Sequence, residues 1–393
     1  MSNSEEQYML YAIELAARGQ GHVEPNPMVG CVLVRDDQII GHGFHEQFGG
    51  PHAEINAIDS IGNLDDSVEQ QRHLNAAGAT AFVTLEPCSH VGKTGPCCDA
   101  LIEAKISRVV VACLDPNPLV AGQGIKRLEE AGIKVEVGML ESQACSIMAP
   151  YLKRIEQSKP WVIAKWAMTL DGKIATSTGD SKWISSSDSR QLVHGLRARV
   201  DAVMVGIGTA LADDPMLNAR LDEQSRTASG AGVLPSETTP STRSPALRVV
   251  VDSMARLGLE SKLVRTAEEI PTLIAVGPGA DSAKLEQLAA HGCQLFKHPS
   301  TDPTERLDAL LSHLADQQLT NVLVEGGGQL LGSLHDLHQI DEVHCFIGPK
   351  IVGGEGISPV HGNGLELIKD SMQLSIRSVE QIGNDVYVVG RKQ

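Results

Sequence analysis

His52, Glu54, Cys88 and Cys97 are the residues of this chain whose types and spacing point most directly to chemistry. An imidazole and two thiols suit a tetrahedral zinc ion, and a catalytic zinc keeps its fourth position open for water. Glu54 follows His52 too closely to be a comfortable fourth ligand, but it is well placed to carry a proton. A zinc so held supplies hydroxide near neutral pH, and the carboxylate takes the water's proton, passes it to a ring nitrogen and helps ammonia leave. The pattern predicts hydrolytic deamination. A closed structural zinc site would need four ligands and would leave Glu54 without a role, while packed thiols are the blander reading of the cysteines. Base deaminases commonly place two residues between their cysteines; here eight, 89–96, intervene. Cys98 adjoins Cys97, so spacing leaves the third ligand open between them.

The elements that must position these groups read as alternating helix and strand. Apolar spacing predicts a helix over 5–18 with Ser4 as its N-cap, and a short strand over 29–34. A helix over 52–61 would present His52 and Glu54 from its first turn. A strand over 80–85 leads to Pro87-Cys88, which would open the next turn and helix and bring Cys88 back toward His52. Strand 108–113, helix 125–131 and strand 134–137 follow. A helix-covered mixed sheet results.

Length and charge narrow the class. The chain has 393 residues and a formal net charge of −16, enough for two or three domains and unlike a protein that tracks nucleic-acid phosphates. A small phosphorylated ligand needs only a few local cations. The eight cysteines form no compact disulfide framework, which fits a reducing, cytoplasmic setting. The acidic N-terminus lacks the basic and apolar regions of a signal peptide, and no apolar run reaches membrane-spanning length, so the chain is expected to be soluble and away from membranes. No repeat of 20–50 residues is evident. A change of character over 145–160 divides the chain into an expected first domain, 1–147, and a second, 148–393.

By itself the second half reads only as α/β. The runs 203–209 and 322–328 are buried-strand patterns ending in glycine-rich turns, which let backbone N–H groups approach phosphates at a helix N-terminus. Neither is a full dinucleotide fingerprint. The stretch 222–245, rich in Ser, Thr and Pro, is expected to be a mobile loop within this domain, before a strand over 247–252.

Several motifs together carry a resemblance. Pro25-Asn26-Pro27-Met28-Val29-Gly30, Gly41-His42-Gly43-Phe44-His45, Gly49-Gly50-Pro51-His52-Ala53-Glu54 and the run from Thr84 to Thr94 resemble the deaminase half of the bifunctional riboflavin-biosynthesis deaminase/reductases, within the cytidine-deaminase-like superfamily. That family shares the longer cysteine spacing, and the resemblance implies Cys97 as the third ligand. It implies a pyrimidinone substrate bearing a ribosylamino 5-phosphate, with Asn26, His45, His90 and Lys93 lining the pocket. An Asn can hydrogen-bond both donor and acceptor groups on a base edge, and His90 and Lys93 between the cysteines can hold a phosphate. Lys165 to Ala175, Ser181 to Ser185, Arg197, Gly208-Thr209 with Asp213-Asp214-Pro215, Val251-Asp252-Ser253 and Glu325 to Gly328 resemble the family's reductase half, which is similar to dihydrofolate reductase in fold and uses NADPH.

The two resemblances cover nearly the whole chain. They imply NADPH contacts at Ala167, Trp183, Thr209, Asp213, Gly326, Gly327 and Gly328, and substrate contacts at Ser181, Arg197, Leu217, Arg220 and Glu325. Arg197 and Arg220 would fork a 5-phosphate, and Glu325 would accept bonds from ring or sugar donors. The expectation is removal of the pyrimidinone 2-amino group, then NADPH reduction of the ribosyl chain to ribityl, in a homo-oligomer. One alternative is a deaminase whose reductase-like domain does no chemistry. Another is a zinc-stabilised nucleotide-binding module, in which Glu54 would be dispensable.

Overall fold

The computed structural model of the chain describes residues 3–61, 76–90, 95–118, 120–220 and 244–393. It divides into two compact units, Met1–Ser158 and Lys159–Gln393.

The first unit is one sheet between two helical layers. In chain order its elements are α1 (Asn3–Ala17), β1 (Gly30–Arg35), β2 (Gln38–Phe44), α2 (Ala53–Asp59), β3 (Thr80–Leu85), α3 (Cys97–Glu103), β4 (Arg108–Cys113), α4 (Gln123–Glu130), β5 (Lys134–Val137) and α5 (Glu141–Gln157). The strands lie in the order β2-β1-β3-β4-β5, with β1 antiparallel to β2 and β3, and β3, β4 and β5 parallel. β1, β3 and β4 are apolar on both faces because both are covered. Leu33, Val83 and Val111 meet Ala57, Leu101 and Leu128 on one face, while Val32, Phe82 and Val110 meet Met9, Leu15 and Met148 on the other.

Three local expectations need correction. Helix α1 starts at Asn3, so Ser4 lies inside its first turn and is not the N-cap. Cys88 is not on a helix: 86–89 is loop beyond β3, and α3 starts at Cys97 after Pro96 in extended conformation. Strand β2 is absent from the expected elements because Gly41 and Gly43 weaken its strand signal. Those glycines are required by packing, since a Cβ at Gly43 would lie 2.4 Å from the backbone nitrogen of Ala57 in α2. Close approach of α2 to β2 is what carries His52 and Glu54 over the sheet. The expected domain boundary at 147/148 falls inside α5, whose Ala144, Met148 and Tyr151 pack into this unit's core.

The second unit is a nine-stranded sheet with helices on both faces. Its elements are β6 (Trp161–Thr169), α6 (Ser187–Arg199), β7 (Ala202–Gly206), α7 (Ile207–Asp213), β8 (Leu247–Val251), α8 (Lys262–Arg265), β9 (Thr272–Val276), α9 (Ser282–Ala290), β10 (Gln294–Lys297), α10 (Pro303–Asp316), β11 (Asn321–Glu325), α11 (Gly328–Asp336), β12 (Glu342–Gly348), β13 (Leu374–Ile382) and β14 (Asp385–Lys392). The order is β10-β9-β8-β7-β11-β6-β12-β14-β13, parallel except for the pairings made by β14. From β7 the chain continues outward to β8, whereas from β11 it crosses β6 to reach β12. Such a reversal opens a crevice beyond the carboxyl ends of the strands, where α/β sheets bind ligands. Of the expected mobile loop, residues 222–243 lie outside the described residues.

Candidate active sites in the two units

In the first unit the end of β3, the start of α2 and the start of α3 converge. His52 is the N-cap residue of α2, with extended backbone, but its side chain makes no cap bond and turns to the sulfurs. Its Nδ1 lies 3.2 Å from Cys97 Sγ and 3.5 Å from Cys88 Sγ, and the Cys97 N–H donates to Cys88 Sγ at 3.3 Å. All three donor atoms fall within 4.8 Å of one another. Zinc bonds of about 2.0–2.3 Å at tetrahedral angles place ligand atoms roughly 3.5–3.8 Å apart, so this donor set fits a zinc ion with little movement. Cys98 points elsewhere, because one helical residue turns a side chain by about 100°. Its thiol donates to Pro87 O at 3.3 Å and Gly124 O at 3.5 Å.

The electrostatics suit a metal and a proton carrier. A hydrogen bond from Cys97 is the largest effect holding the Cys88 thiol down to about 4, which makes Cys88 a ready thiolate. The bond to Cys88 also raises the His52 imidazole. Glu54 is 3 % exposed, and burial first, then the charge at Cys88, raise its carboxyl to about 7. A group titrating near neutrality can both accept and return a proton.

Next to this cluster, His45 Nδ1 donates to Pro51 O at 2.9 Å, so its Nε2 accepts from Asn26 Nδ2 at 3.2 Å. Burial keeps the His45 imidazole neutral by lowering its pKa. The His45 and His52 rings meet edge to face with centroids 5.3 Å apart, which places Asn26 and His45 beside the metal ligands. His90 is exposed in the loop after Cys88, and Lys93 lies outside the described residues. Sequence reasoning missed Glu86. Its buried carboxylate accepts the amides of Asp115, Gly122, Gly124 and Ile125 at 3.0–3.4 Å, and so shapes the turn that delivers Cys88. Its only signal was its place immediately before Pro87-Cys88.

In the second unit the crevice is a cleft of two lobes. The larger, about 850 Å³, runs along Gly208, Thr209 and Asp213 to the turn Gly326-Gly327-Gly328. Gly326 and Gly327 have φ of +78° and +85°, and a Cβ on either would sit 3.5 Å from Thr209 Oγ1. The positive φ is what calls for glycine at both positions, since a Cβ there would meet Thr209 only at ordinary contact distance, and the turn leads into the N-terminus of α11, an arrangement suited to phosphate. At the lobe's other end are Ser253, Arg256 and Arg306, with Arg306 Nη2 donating to Ser253 Oγ at 3.0 Å. These three were not among the expected contacts, and a single Arg within α10 carries no sequence signal.

The second lobe, about 670 Å³, is lined by Lys165, Ala167, Ser181, Trp183, Arg197, Arg220 and Glu325. Leu217 closes a smaller recess shared with Ala167, Thr209 and Glu325. Arg197 Nε and Nη2 grip Glu325 at 2.5 and 2.9 Å, and its Nη1 donates to Asn218 O at 3.2 Å. The Arg197 guanidinium thus faces Glu325 within the lobe, and Arg220 is exposed at its rim. Burial would raise the Glu325 carboxyl, but Arg197 and then Lys165 hold it below its usual range, as an ionised acceptor. Asp213 pairs with Lys182 at 3.2 Å, and Trp183, 62 % exposed, stacks under the Arg190 guanidinium.

Comparison with known proteins matches residues 2–113 to the cytidine and deoxycytidylate deaminase zinc-binding region and residues 160–388 to the RibD C-terminal domain. The chain is 39% identical to riboflavin biosynthesis protein RibD of Actinobacillus pleuropneumoniae, over 97% of this chain and 94% of that protein. It is 37% identical to RibD of Escherichia coli (strain K12), over 97% and 98% of the two chains. The solved structure of Acinetobacter baumannii RibD, form 1, superposes with a TM-score of 0.80 at 35% identity, covering 99% of each chain. A diaminohydroxyphosphoribosylaminopyrimidine deaminase/5-amino-6-(5-phosphoribosylamino)uracil reductase from Thermotoga maritima superposes with a TM-score of 0.78 at 34% identity, also over 99% of each.

Proposed function

The chain belongs to the RibD family of bifunctional riboflavin-biosynthesis enzymes, zinc-dependent deaminases joined to an NADPH-dependent reductase, and we propose that it acts on 2,5-diamino-6-(5-phosphoribosylamino)pyrimidin-4(3H)-one. The first unit removes the 2-amino group as ammonia, and the second reduces the ribosyl chain of that product to ribityl. The observation that carries the reading is the meeting of His52, Cys88 and Cys97 beside a buried carboxyl with a pKa near neutrality.

His52, Cys88 and Cys97 would hold the zinc, which would supply the Lewis acidity that makes water nucleophilic at neutral pH. Glu54 moves protons between the attacking water, the ring nitrogen and the departing amine. Asn26, oriented by His45, bonds the base edge, while His90 and Lys93 take the sugar phosphate side.

In the second unit, Ala167, Trp183, Thr209, Asp213 and the turn Gly326–Gly328 would hold NADPH, which would supply the hydride. The pair of arginines beside Ser253 suits a phosphate monoester, the group that separates NADPH from NADH. Ser181, Arg197, Leu217, Arg220 and Glu325 hold the substrate, with Arg197 also keeping Glu325 charged and aimed. The partner is thus a small phosphorylated pyrimidine. Among the described residues no helix is long and apolar enough to cross a membrane, and the eight free cysteines support a cytoplasmic setting. A homo-oligomer is proposed from the family resemblance.

The test is direct. Zinc-replete protein given the diamino substrate should release ammonia and then oxidise NADPH. Ammonia without NADPH oxidation would favour the reading in which the reductase-like unit does no chemistry, and neither signal would overturn both assignments.

A further inference from the structure

Outside the metal cluster, two thiols lie together. Cys113, the last residue of β4, and Cys145, in the second turn of α5, bring their Sγ atoms to 2.7 Å. A disulfide needs about 2.05 Å, so closing the gap takes only roughly 0.7 Å of side-chain motion and leaves β4 and α5 in place. Among the described residues no other two sulfurs outside the metal cluster come within hydrogen-bonding distance. Their surroundings differ: Cys113 is 1 % exposed and its thiol also reaches Glu141 O at 3.4 Å, while Cys145 is only partly buried.

We propose that Cys113 and Cys145 form a redox modification site, a reversible disulfide that ties β4 to α5 when the protein meets a small disulfide of the oxidised-glutathione class. The accessible Cys145 reacts first. It gives up its proton, attacks one sulfur of the small disulfide and forms a mixed disulfide, releasing one small thiolate that takes up a proton. Cys113 then loses its proton and displaces the second small thiolate from Cys145. Two protein thiols are oxidised and one small disulfide is reduced to two thiols, so atoms and electrons balance. The order follows from access, and burial, by pushing the Cys113 thiol well up, keeps Cys113 protonated until the mixed disulfide stands beside it.

The cross-link would fasten the strand end behind the metal loop. Cys113 O accepts the amide of Glu86 at 2.9 Å, and Glu86 organises the turn before Cys88. Oxidation should therefore stiffen the first unit without taking a zinc ligand. Closing the loop 114–144 also restricts the unfolded chain, which raises the melting temperature. A labile disulfide of this kind is compatible with a reducing compartment, where such bonds are transient.

Zinc-loaded full-length protein is incubated with oxidised glutathione, alkylated, digested without reductant and analysed by mass spectrometry, with zinc content measured in parallel. The expected result is a Cys113–Cys145 cross-linked peptide, an intact mass lower by two hydrogens, retained zinc and full reversal by reductant. In Cys113→Ser the reaction should stop at glutathione on Cys145. Recovery of alkylated Cys145 from the oxidised wild type overturns the proposal, as does loss of zinc without the cross-linked peptide; the wild-type result decides even if the variant fails to fold.

Discussion

A carboxyl such as Glu54 does proton chemistry at neutral pH only when something holds it near neutrality, and here burial does so at the first turn of α2. Replacing Glu54 by Gln keeps shape and leaves the three donors intact. The variant should retain zinc while ammonia release falls by about 10²–10⁴-fold, measured in one steady-state assay beside metal analysis. Undiminished deamination would rule out Glu54 as the proton carrier. The ligand pair is equally specific: Cys97→Ser should strip zinc and Cys98→Ser should not, because only Cys97 faces His52. In the second unit, Arg306 donates to Ser253 at the end of the larger lobe. Arg306→Leu should weaken NADPH binding about ten- to a hundredfold and leave NADH binding unchanged, as read by fluorescence titration of both dinucleotides. Equal weakening of the two would place Arg306 away from the distinguishing phosphate. Of these residues, His52, Cys88 and Glu54 were legible as candidates from type and spacing, while spacing left the third ligand open between Cys97 and Cys98. Arg306 and Glu86 were not, since an isolated Arg or Glu has many uses and only its neighbours select one.

Elements place these groups through close packing that sequence periodicity does not display. The strand pattern around β3 and β4 was plain, because runs such as Val109-Val110-Val111 are buried on both faces. β2 was hidden by the glycines that let α2 lie against it. Gly43→Ala would put a methyl carbon 2.4 Å from the Ala57 amide nitrogen, so α2 must shift. Overpacking of that kind costs about 1–3 kcal/mol, and the shift should also lower zinc occupancy, both checked by thermal melts and metal analysis of the same preparation. Full stability with full zinc would mean that the strand–helix spacing is looser than the structure has it. The expected helix at Pro87-Cys88 failed for a related reason. Glu86 draws four amides of the 115–125 segment onto its carboxylate, and this fixes the chain after β3 as a loop.

At the scale of the whole molecule, each unit has its own sheet and core, and the two chemistries use different helpers. Removing zinc with a chelator should abolish ammonia release yet leave NADPH oxidation intact when the deaminated product is supplied; loss of both would tie the reductase to the metal. The sequence by itself determined the deaminase class of chemistry in the first half and an α/β second half, because metal donors and apolar strands are local signals whose meaning survives without coordinates, while the reductase reading needed the combined motifs that carry the family resemblance. The split of the chain was less legible: α5 carries a polar surface into the joining region, but its apolar side belongs to the first unit's core. Only the tertiary structure decided that Cys97 and not Cys98 faces the imidazole, that the Arg197 guanidinium faces Glu325, and that Cys113 and Cys145 touch. Those outcomes depend on direction and distance between side chains far apart in the chain. Packing of helices on a sheet sets them, and no local pattern encodes that packing.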